Sequence, residues 1–129
     1  MTLRALIVDD NAAFLATARC LLEREGMDIV GMVSTGTEAL HASEEHNPDV
    51  ILVDVDLGQE NGFDLTERLH SASGGRRSVV LMSVYPEQDL EDLLGASPAL
   101  GFVAKAKLSA QAIVEVLGSG AGDDRRRLW

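Results

Sequence analysis

The stretch Val50-Ile51-Leu52-Val53-Asp54 decides the fold prediction. Four branched apolar residues lead directly into a carboxylate. The run is too short for a membrane span and is typical of a strand buried on both faces of a parallel sheet. In open α/β sheets, the carboxyl ends of the strands border the crevice in which ligands bind. We therefore expect Asp54 at that edge, with its carboxylate available for chemistry.

Four other apolar segments have the pattern of strands, and they cover residues 3–8, 28–34, 79–82 and 101–104. The segments between them carry apolar residues at helical spacing and begin or end at capping residues, glycine or proline. Strand and helix thus alternate five times. This order predicts an α/β fold with a doubly wound, five-stranded parallel sheet and five helices.

Several residues support the predicted helix boundaries. The first helix follows Asn11 and stops at Gly26, and the second begins with the capping box Thr35-Gly36-Thr37-Glu38. In the fourth helix, which Pro86 can open, the apolar residues expected to be buried are Leu90, Leu93 and Leu94. Residues 1–117 are predicted to form one domain, and residues 118–129 are a Gly-rich and charged tail that is a terminus or the start of a linker.

The composition excludes several kinds of partner. The chain has 21 acidic and 11 basic residues and a net charge of −10, which argues against a nucleic-acid surface or an anionic membrane and favours a basic partner or a metal cation. Cys20 is the only cysteine, so an internal disulfide is impossible, and we expect a small packed side chain. No signal peptide or membrane span is recognisable, and the sequence predicts a cytoplasmic protein.

The residues that follow the strands suggest a phosphoryl-transfer site. In chain order these residues are Asp9 with Asp10, Ser34, Asp54, Ser83 and Lys105. Clustered carboxylates suit Mg²⁺, which takes one or two of them and leaves positions for water and phosphate oxygens. A carboxylate can also attack phosphorus and form an aspartyl phosphate, while a lysine and a hydroxyl bind the phosphoryl oxygens.

With these motifs in place, residues 3–117 resemble the receiver domain of two-component response regulators, which has a flavodoxin-like fold. The resemblance rests on the acid pair, the lone Asp54, Ser83 and Gly101-Phe102-Val103-Ala104-Lys105. By position, the resemblance implies these roles: Asp54 as phosphoacceptor and Mg²⁺ ligand, Asp10 as direct Mg²⁺ ligand, Asp9 as its water-mediated neighbour, Asp56 as ligand through its backbone carbonyl, Ser83 as switch hydroxyl, Lys105 as phosphate-binding lysine and Phe102 as switch aromatic.

The resemblance also implies a function and partners. A sensor histidine kinase or a phosphotransfer protein would donate the phosphoryl group from a phosphohistidine. The chain would not be an enzyme beyond catalysing its own phosphorylation and dephosphorylation. Its switched surface would bind an output domain or a separate protein, and the sequence leaves a homodimer open. A chain ending at residue 129 would act through a partner, whereas a longer one could continue into a DNA-binding domain.

The sequence departs from the family pattern at a few positions around the site. Gly58 and Ala106 stand where proline is common, which predicts a looser loop after the acceptor and leaves the geometry after Lys105 open. Val84 is larger than the residue usual after the switch hydroxyl and is expected to narrow access to the phosphoryl group. Asp56 and Tyr85 occupy the positions that tune dephosphorylation.

Three other functions compete with a phosphorylation switch. Asp54-Val55-Asp56 is an acid pair like that of haloacid-dehalogenase-like phosphatases, but Gly58 stands where that family has Thr or Val. A flavodoxin-like cofactor binder would need a Ser/Thr/Gly-rich loop after the first strand, where the acid pair lies instead. A phosphorylation-independent binding module would not need the full set of acids, hydroxyl and lysine. Turnover of phosphate esters and the colour of the protein separate the first two.

Overall fold

The computed structural model describes residues 2–126, and side chains within residues 2–118. The strands of its main sheet are β1 (Arg4–Val8), β2 (Asp28–Val33), β3 (Val50–Asp54), β4 (Val79–Ser83) and β5 (Gly101–Ala104). All five are parallel, in the order β2-β1-β3-β4-β5. This confirms the predicted parallel sheet with the Val50–Asp54 strand at its centre.

Five helices cover the two faces of the sheet. They are α1 (Ala12–Arg24), α2 (Gly36–His46), α3 (Gly62–Ala72), α4 (Glu91–Ala96) and α5 (Ala110–Arg126). Alternate residues of β3 enter opposite cores: Val50 and Leu52 pack on the side of α1 and α5, and Ile51 and Val53 on the side of α2 and α3. Every residue of β3 is buried, which confirms the doubly wound architecture.

The predicted helix caps are present. The side chain of Asn11 accepts a hydrogen bond from the N–H of Phe14, and that of Thr35 accepts one from the N–H of Glu38. Gly26 follows α1 with a φ of 96°, a left-handed conformation that favours glycine. The local sequence therefore places the ends of α1 and the start of α2 correctly.

The prediction for the fourth helix was partly wrong. Pro86 precedes a short 3-10 helix, Glu87–Leu90, and α4 itself has only six residues. The change of helical period rotates Leu93 to the surface, where 52% of it is exposed, while Leu90 and Leu94 remain half-buried. Cys20 is also exposed, contrary to the packed side chain that we expected. It lies two residues from both Ala18 and Leu22, the buried residues of α1, and hence on the opposite side of the helix.

The segment after Asp54, for which Gly58 predicts a looser loop, forms a short hairpin. Asp56–Leu57 pairs antiparallel with Glu60–Asn61. Gly58 lies in the turn with a φ of 77°, and the N–H of Gly58 donates to Oδ1 of Asp56. We call residues 56–61 the acceptor hairpin.

The boundary predicted at residue 117 stays a prediction. Helix α5 continues to Arg126, so its backbone includes much of the Gly-rich tail, and residues 127–129 lie outside the described part of the chain. Within residues 2–126, no helix combines the length and apolar character that a bilayer crossing requires.

Candidate functional site

The carboxyl ends of the strands form an open cavity of about 250 Å³. It contains side chains from β3, β4 and the segments after β1 and β5, as expected for the edge of a parallel sheet. The residues that line it are Asp10, Asn11, Asp54, Asp56, Gly58, Ser83, Val84, Tyr85 and Lys105. Ser34, at the end of the edge strand β2, is not among them. Its N–H donates to Glu38 instead.

Lys105 joins two buried carboxylates beneath this cavity. Its Nζ lies 2.9 Å from Oδ2 of Asp54 and 2.6 Å from Oδ2 of Asp9. The bond to Asp54 has good hydrogen-bond geometry. Oδ2 of Asp9 is fully buried and accepts no hydrogen bond from the residues that the structure describes, so its contact with Lys105 is an attraction of opposite charges. An oxygen in that state has unused capacity to bind a cation or a water molecule.

The arrangement of the acids fits a hard metal ion. Asp9, Asp10 and Asp54 each offer a carboxylate oxygen, and these atoms lie within 4.8 Å of one another. Asp10 is exposed, so an ion here would retain access to solvent. Such oxygen donors with room for water are what Mg²⁺ requires. The side chain of Asp56 accepts from the N–H of Gly58, and the backbone carbonyl of Asp56 is the ligand that the family resemblance implies.

The buried groups of the crevice carry more negative than positive charge. Burial raises the pKa of Asp54, and the negative charge of Asp9 raises it further. Hydrogen bonds from Lys105 and from the N–H of Asp56 lower this pKa, but the net shift is upward. Burial alone would lower the pKa of Lys105, but the close carboxylates of Asp9 and Asp54 outweigh this effect and raise it. Two buried carboxylates thus share one ammonium, and the excess negative charge favours a further cation.

The predicted switch residues occupy two different places. Ser83 is buried at the end of β4, where its Oγ accepts from the N–H of Tyr85, 2.9 Å away. Phe102 is half-buried on β5, beside a separate groove of about 540 Å³ that also contains Pro86 and Val116. Ser83 therefore lines the acid cavity, whereas Phe102 lines a different groove.

Two departures from the family pattern can be located. Val84 is 74% exposed and Tyr85 is 52% exposed, and both border the cavity opening. The peptide bond between Lys105 and Ala106 is trans, as are all the peptide bonds in the described residues.

Two contacts at the site were not predicted. A Cβ on Gly58 would lie 2.8 Å from Oδ2 of Asp10, so glycine at this position allows the hairpin to approach the acid pair. The half-buried ring of Phe14 lies with its centroid 4.3 Å from Nζ of Lys105. Its position in the first turn of α1, close after Asp10, was the available signal.

Comparison with known proteins identifies the family. The sequence profile described as the response regulator receiver domain matches residues 5–117. The chain belongs to this family. It is therefore a signalling domain of two-component systems and not a classical enzyme, and neither the phosphatase nor the phosphorylation-independent module is favoured.

Individual relatives agree with this assignment. The chain is similar to a candidate transcriptional regulator of Pseudomonas aeruginosa, with 35% identity over 102 residues that make up 79% of this chain and 49% of that protein. It is 27% identical to the polar-differentiation response regulator DivK of Brucella ovis, over 95% of this chain and 99% of DivK. The chain thus spans about half the length of some curated relatives and nearly all of others.

A solved structure has the same fold. The CheY-like receiver domain protein from Methanospirillum hungatei JF-1 superposes with a TM-score of 0.76 at 21% identity. The match covers 98% of this chain and 99% of that one. At this identity, the similarity supports the flavodoxin-like receiver fold.

Proposed function

We propose that the domain accepts a phosphoryl group on Asp54 and changes its partner-binding surface in response. The observation that carries this proposal is the environment of Asp54. Its carboxylate ends the central strand, faces an open cavity, and lies beside both Lys105 and the acid pair Asp9 and Asp10. Nucleophile, cation site and counter-charge therefore meet within one crevice, which is what phosphoryl transfer requires.

Asp54 is the nucleophile in this reaction, and its neighbours hold its carboxylate in position. A carboxylate oxygen of Asp54 forms the new bond to phosphorus, and the bond from phosphorus to the donor imidazole nitrogen breaks with its electron pair leaving on nitrogen. The N–H of Asp56 and the ammonium of Lys105 hold the two oxygens of Asp54 in place, 3.2 and 2.9 Å away. Burial, which raises the pKa of Asp54, also makes its carboxylate a better nucleophile.

Mg²⁺ fits the donors in this crevice. Asp9, Asp10, Asp54 and the backbone carbonyl of Asp56 would hold it, and when bound it neutralises charge on the phosphoryl oxygens. Lys105, 2.9 Å from Oδ2 of Asp54, would supply a second positive charge. Oδ2 of Asp9, which accepts no hydrogen bond from the described residues, supports this assignment because a water ligand could donate to it.

The partners follow from the family and from the charge of the chain. A sensor histidine kinase or phosphotransfer protein in the cytoplasm would be the donor, and an output domain or protein partner would bind the switched surface around α4, β5 and α5. The net charge of −10 opposes direct binding to nucleic acid or an anionic membrane.

The direct test is labelling by a small phosphodonor. With acetyl phosphate or phosphoramidate and Mg²⁺, the wild type should gain one phosphoryl group that hydroxylamine removes, as expected for an acyl phosphate. Asp54→Asn should gain none. Asp64→Asn, which neutralises an exposed aspartate on α3, is the matched control and should label normally. An acid-stable label, or label that persists in Asp54→Asn, would contradict the proposal.

A further inference from the structure

The Lys105 ammonium has a third neighbour besides its two carboxylates. The centroid of the Phe14 ring lies 4.3 Å from Nζ, within the range in which an aromatic face attracts a cation. The side chain of Lys105 is only 11% exposed. Such a contact is therefore weakly screened by water and stronger than one on the surface.

We propose that Phe14 is a positioning residue that keeps the Lys105 ammonium at the transfer site. The proposal rests on the function assigned above to Asp54 and Lys105. A lysine side chain has four rotatable bonds, so without a third contact the ammonium could follow either carboxylate or turn toward solvent. The ring attracts it without adding a charge or an oxygen that would compete for the metal or the phosphoryl group.

The contact matters most when Asp54 is modified. Lys105 then has to exchange its bond to Oδ2 of Asp54 for one to a phosphoryl oxygen nearby. Attraction to an aromatic face tolerates small displacements of the cation, whereas a hydrogen bond depends on direction. Phe14 can therefore hold the ammonium before and after transfer, which reduces the entropy lost when Lys105 binds the phosphoryl group.

The first test compares substitutions that keep apolar volume but differ in the ring. Phe14→Leu should slow phosphorylation by phosphoramidate by about fivefold, the size expected for a partly buried cation–π contact. Phe14→Tyr retains an aromatic face and should be phosphorylated at close to the wild-type rate. Phe63→Leu, which removes a half-buried ring that packs on the other core, is the control and should leave the rate unchanged.

The second test requires neither metal nor turnover. In EDTA, the ε-methylene protons of Lys105 should be shifted upfield by the ring current in wild type and Phe14→Tyr, and this shift should disappear in Phe14→Leu. A double-mutant cycle with Lys105→Met, measured by urea unfolding, should show that the effect of Phe14→Leu depends on the ammonium.

The outcomes separate this inference from the proposed function. If wild type labels on Asp54 but Phe14→Leu reacts at the wild-type rate, or if Phe14→Tyr is as slow as Phe14→Leu, the positioning role is wrong and the phosphoacceptor stands. An unshifted Lys105 resonance in wild type, or no coupling in the cycle, would also overturn the role. Absence of any label on wild type would overturn the proposed function itself.

Discussion

The two segments that border the acid cavity are built in opposite ways. The acceptor hairpin, residues 56–61, is tied down by side chains: Glu60 accepts twice from the N–H of Gly36, and Asn61 accepts from the N–H of Phe63 and Asp64. On the other side, residues 84–96 form a 3-10 helix and the short α4, and neither has a side-chain cap. Both segments follow a strand that carries a functional side chain.

The packing of the two segments differs in the same way. Leu57 of the hairpin is buried, whereas no residue in 87–96 is buried, and Val84, Tyr85 and Leu93 are more than half exposed. Segments with few buried contacts open and rearrange at low free-energy cost. The comparison indicates that the hairpin holds the acid site in place, while residues 84–96 can move when the site changes.

The largest expected effect is a loss of stability on substitution of Gly62, next to the acceptor hairpin. A Cβ on Gly62, where α3 starts after the hairpin, would overlap the carbonyl oxygen of Asp54 and lie 2.7 Å from Cα of Val55. Because backbone atoms cannot move aside easily, Gly62→Ala should destabilise the fold by about 3 kcal/mol or more. The measurement is urea unfolding monitored by circular dichroism.

Gly95→Ala in α4 is the matched control for this substitution. A Cβ there meets nothing within 4 Å, so alanine should stabilise the helix by about 0.5–1 kcal/mol. Equal effects of the two substitutions would refute the contrast between the segments.

The next largest effect is expected when Glu60, which ties the acceptor hairpin to Gly36, is substituted. Glu60→Ala leaves the N–H of Gly36 without its charged acceptor and should cost about 2 kcal/mol. Glu60→Gln keeps one oxygen and should cost less. Leu93→Ala on the exposed α4 should change the unfolding free energy by less than about 0.5 kcal/mol. A cost of several kcal/mol for Leu93→Ala would mean that Leu93 is buried as its periodicity suggested.

Metal addition tests the crevice between the two segments. Because Mg²⁺ binds only the folded state, it should stabilise wild type by ~1.4 kcal/mol at about ten times its Kd. Asp54→Asn removes one of the crowded charges, so it should raise stability in EDTA and reduce the gain from Mg²⁺. Lys105→Ala removes the counter-charge and should lower stability in EDTA. If Mg²⁺ does not change the unfolding free energy of wild type, and Asp54→Asn is less stable than wild type in EDTA, the carboxylates do not form a shared metal site.

The sign of the pH dependence follows from Asp54. Its pKa is raised in the folded state, so the folded protein holds this proton more tightly than the unfolded chain does. Stability from this group is thus lost as the pH rises from the unfolded pKa through the folded one. In EDTA, the advantage of Asp54→Asn should therefore grow over that pH window. An advantage that shrinks with rising pH would contradict the raised pKa.

The smallest expected free-energy change is a shift between two conformations of the folded protein. A phosphoryl mimic should draw Ser83 Oγ from the N–H of Tyr85 toward the site and bias Phe102 inward, a two-state shift that needs different contacts in the two states. Amide resonances from Ser83 to Lys105 should therefore change more than those of Leu57 to Asn61. Unchanged resonances in the first group would refute the switch, and equal changes in both would refute the fixed hairpin.

Most of the fold was predictable because its signals are local. Apolar runs marked the five strands, and Asn11, Thr35 and Gly26 marked helix ends through bonds or dihedral angles within a few residues. The two errors have different causes. Leu93 was placed by assuming one helical period, but the chain changes from 3-10 to α-helix before it. Cys20 was placed by residue type, although helical spacing puts it opposite the buried residues of α1.

The sequence by itself determined which functional groups reach the carboxyl edge of the sheet, because a parallel α/β fold brings the residues after every strand to one edge. Only the tertiary structure decided how those groups pair. Lys105 bridges Asp9 and Asp54 with Phe14 beside it, and Glu60 ties the hairpin to Gly36 across 24 positions of sequence. Such contacts depend on distances between elements that are remote in the chain, and periodicity or capping patterns carry no information about those distances.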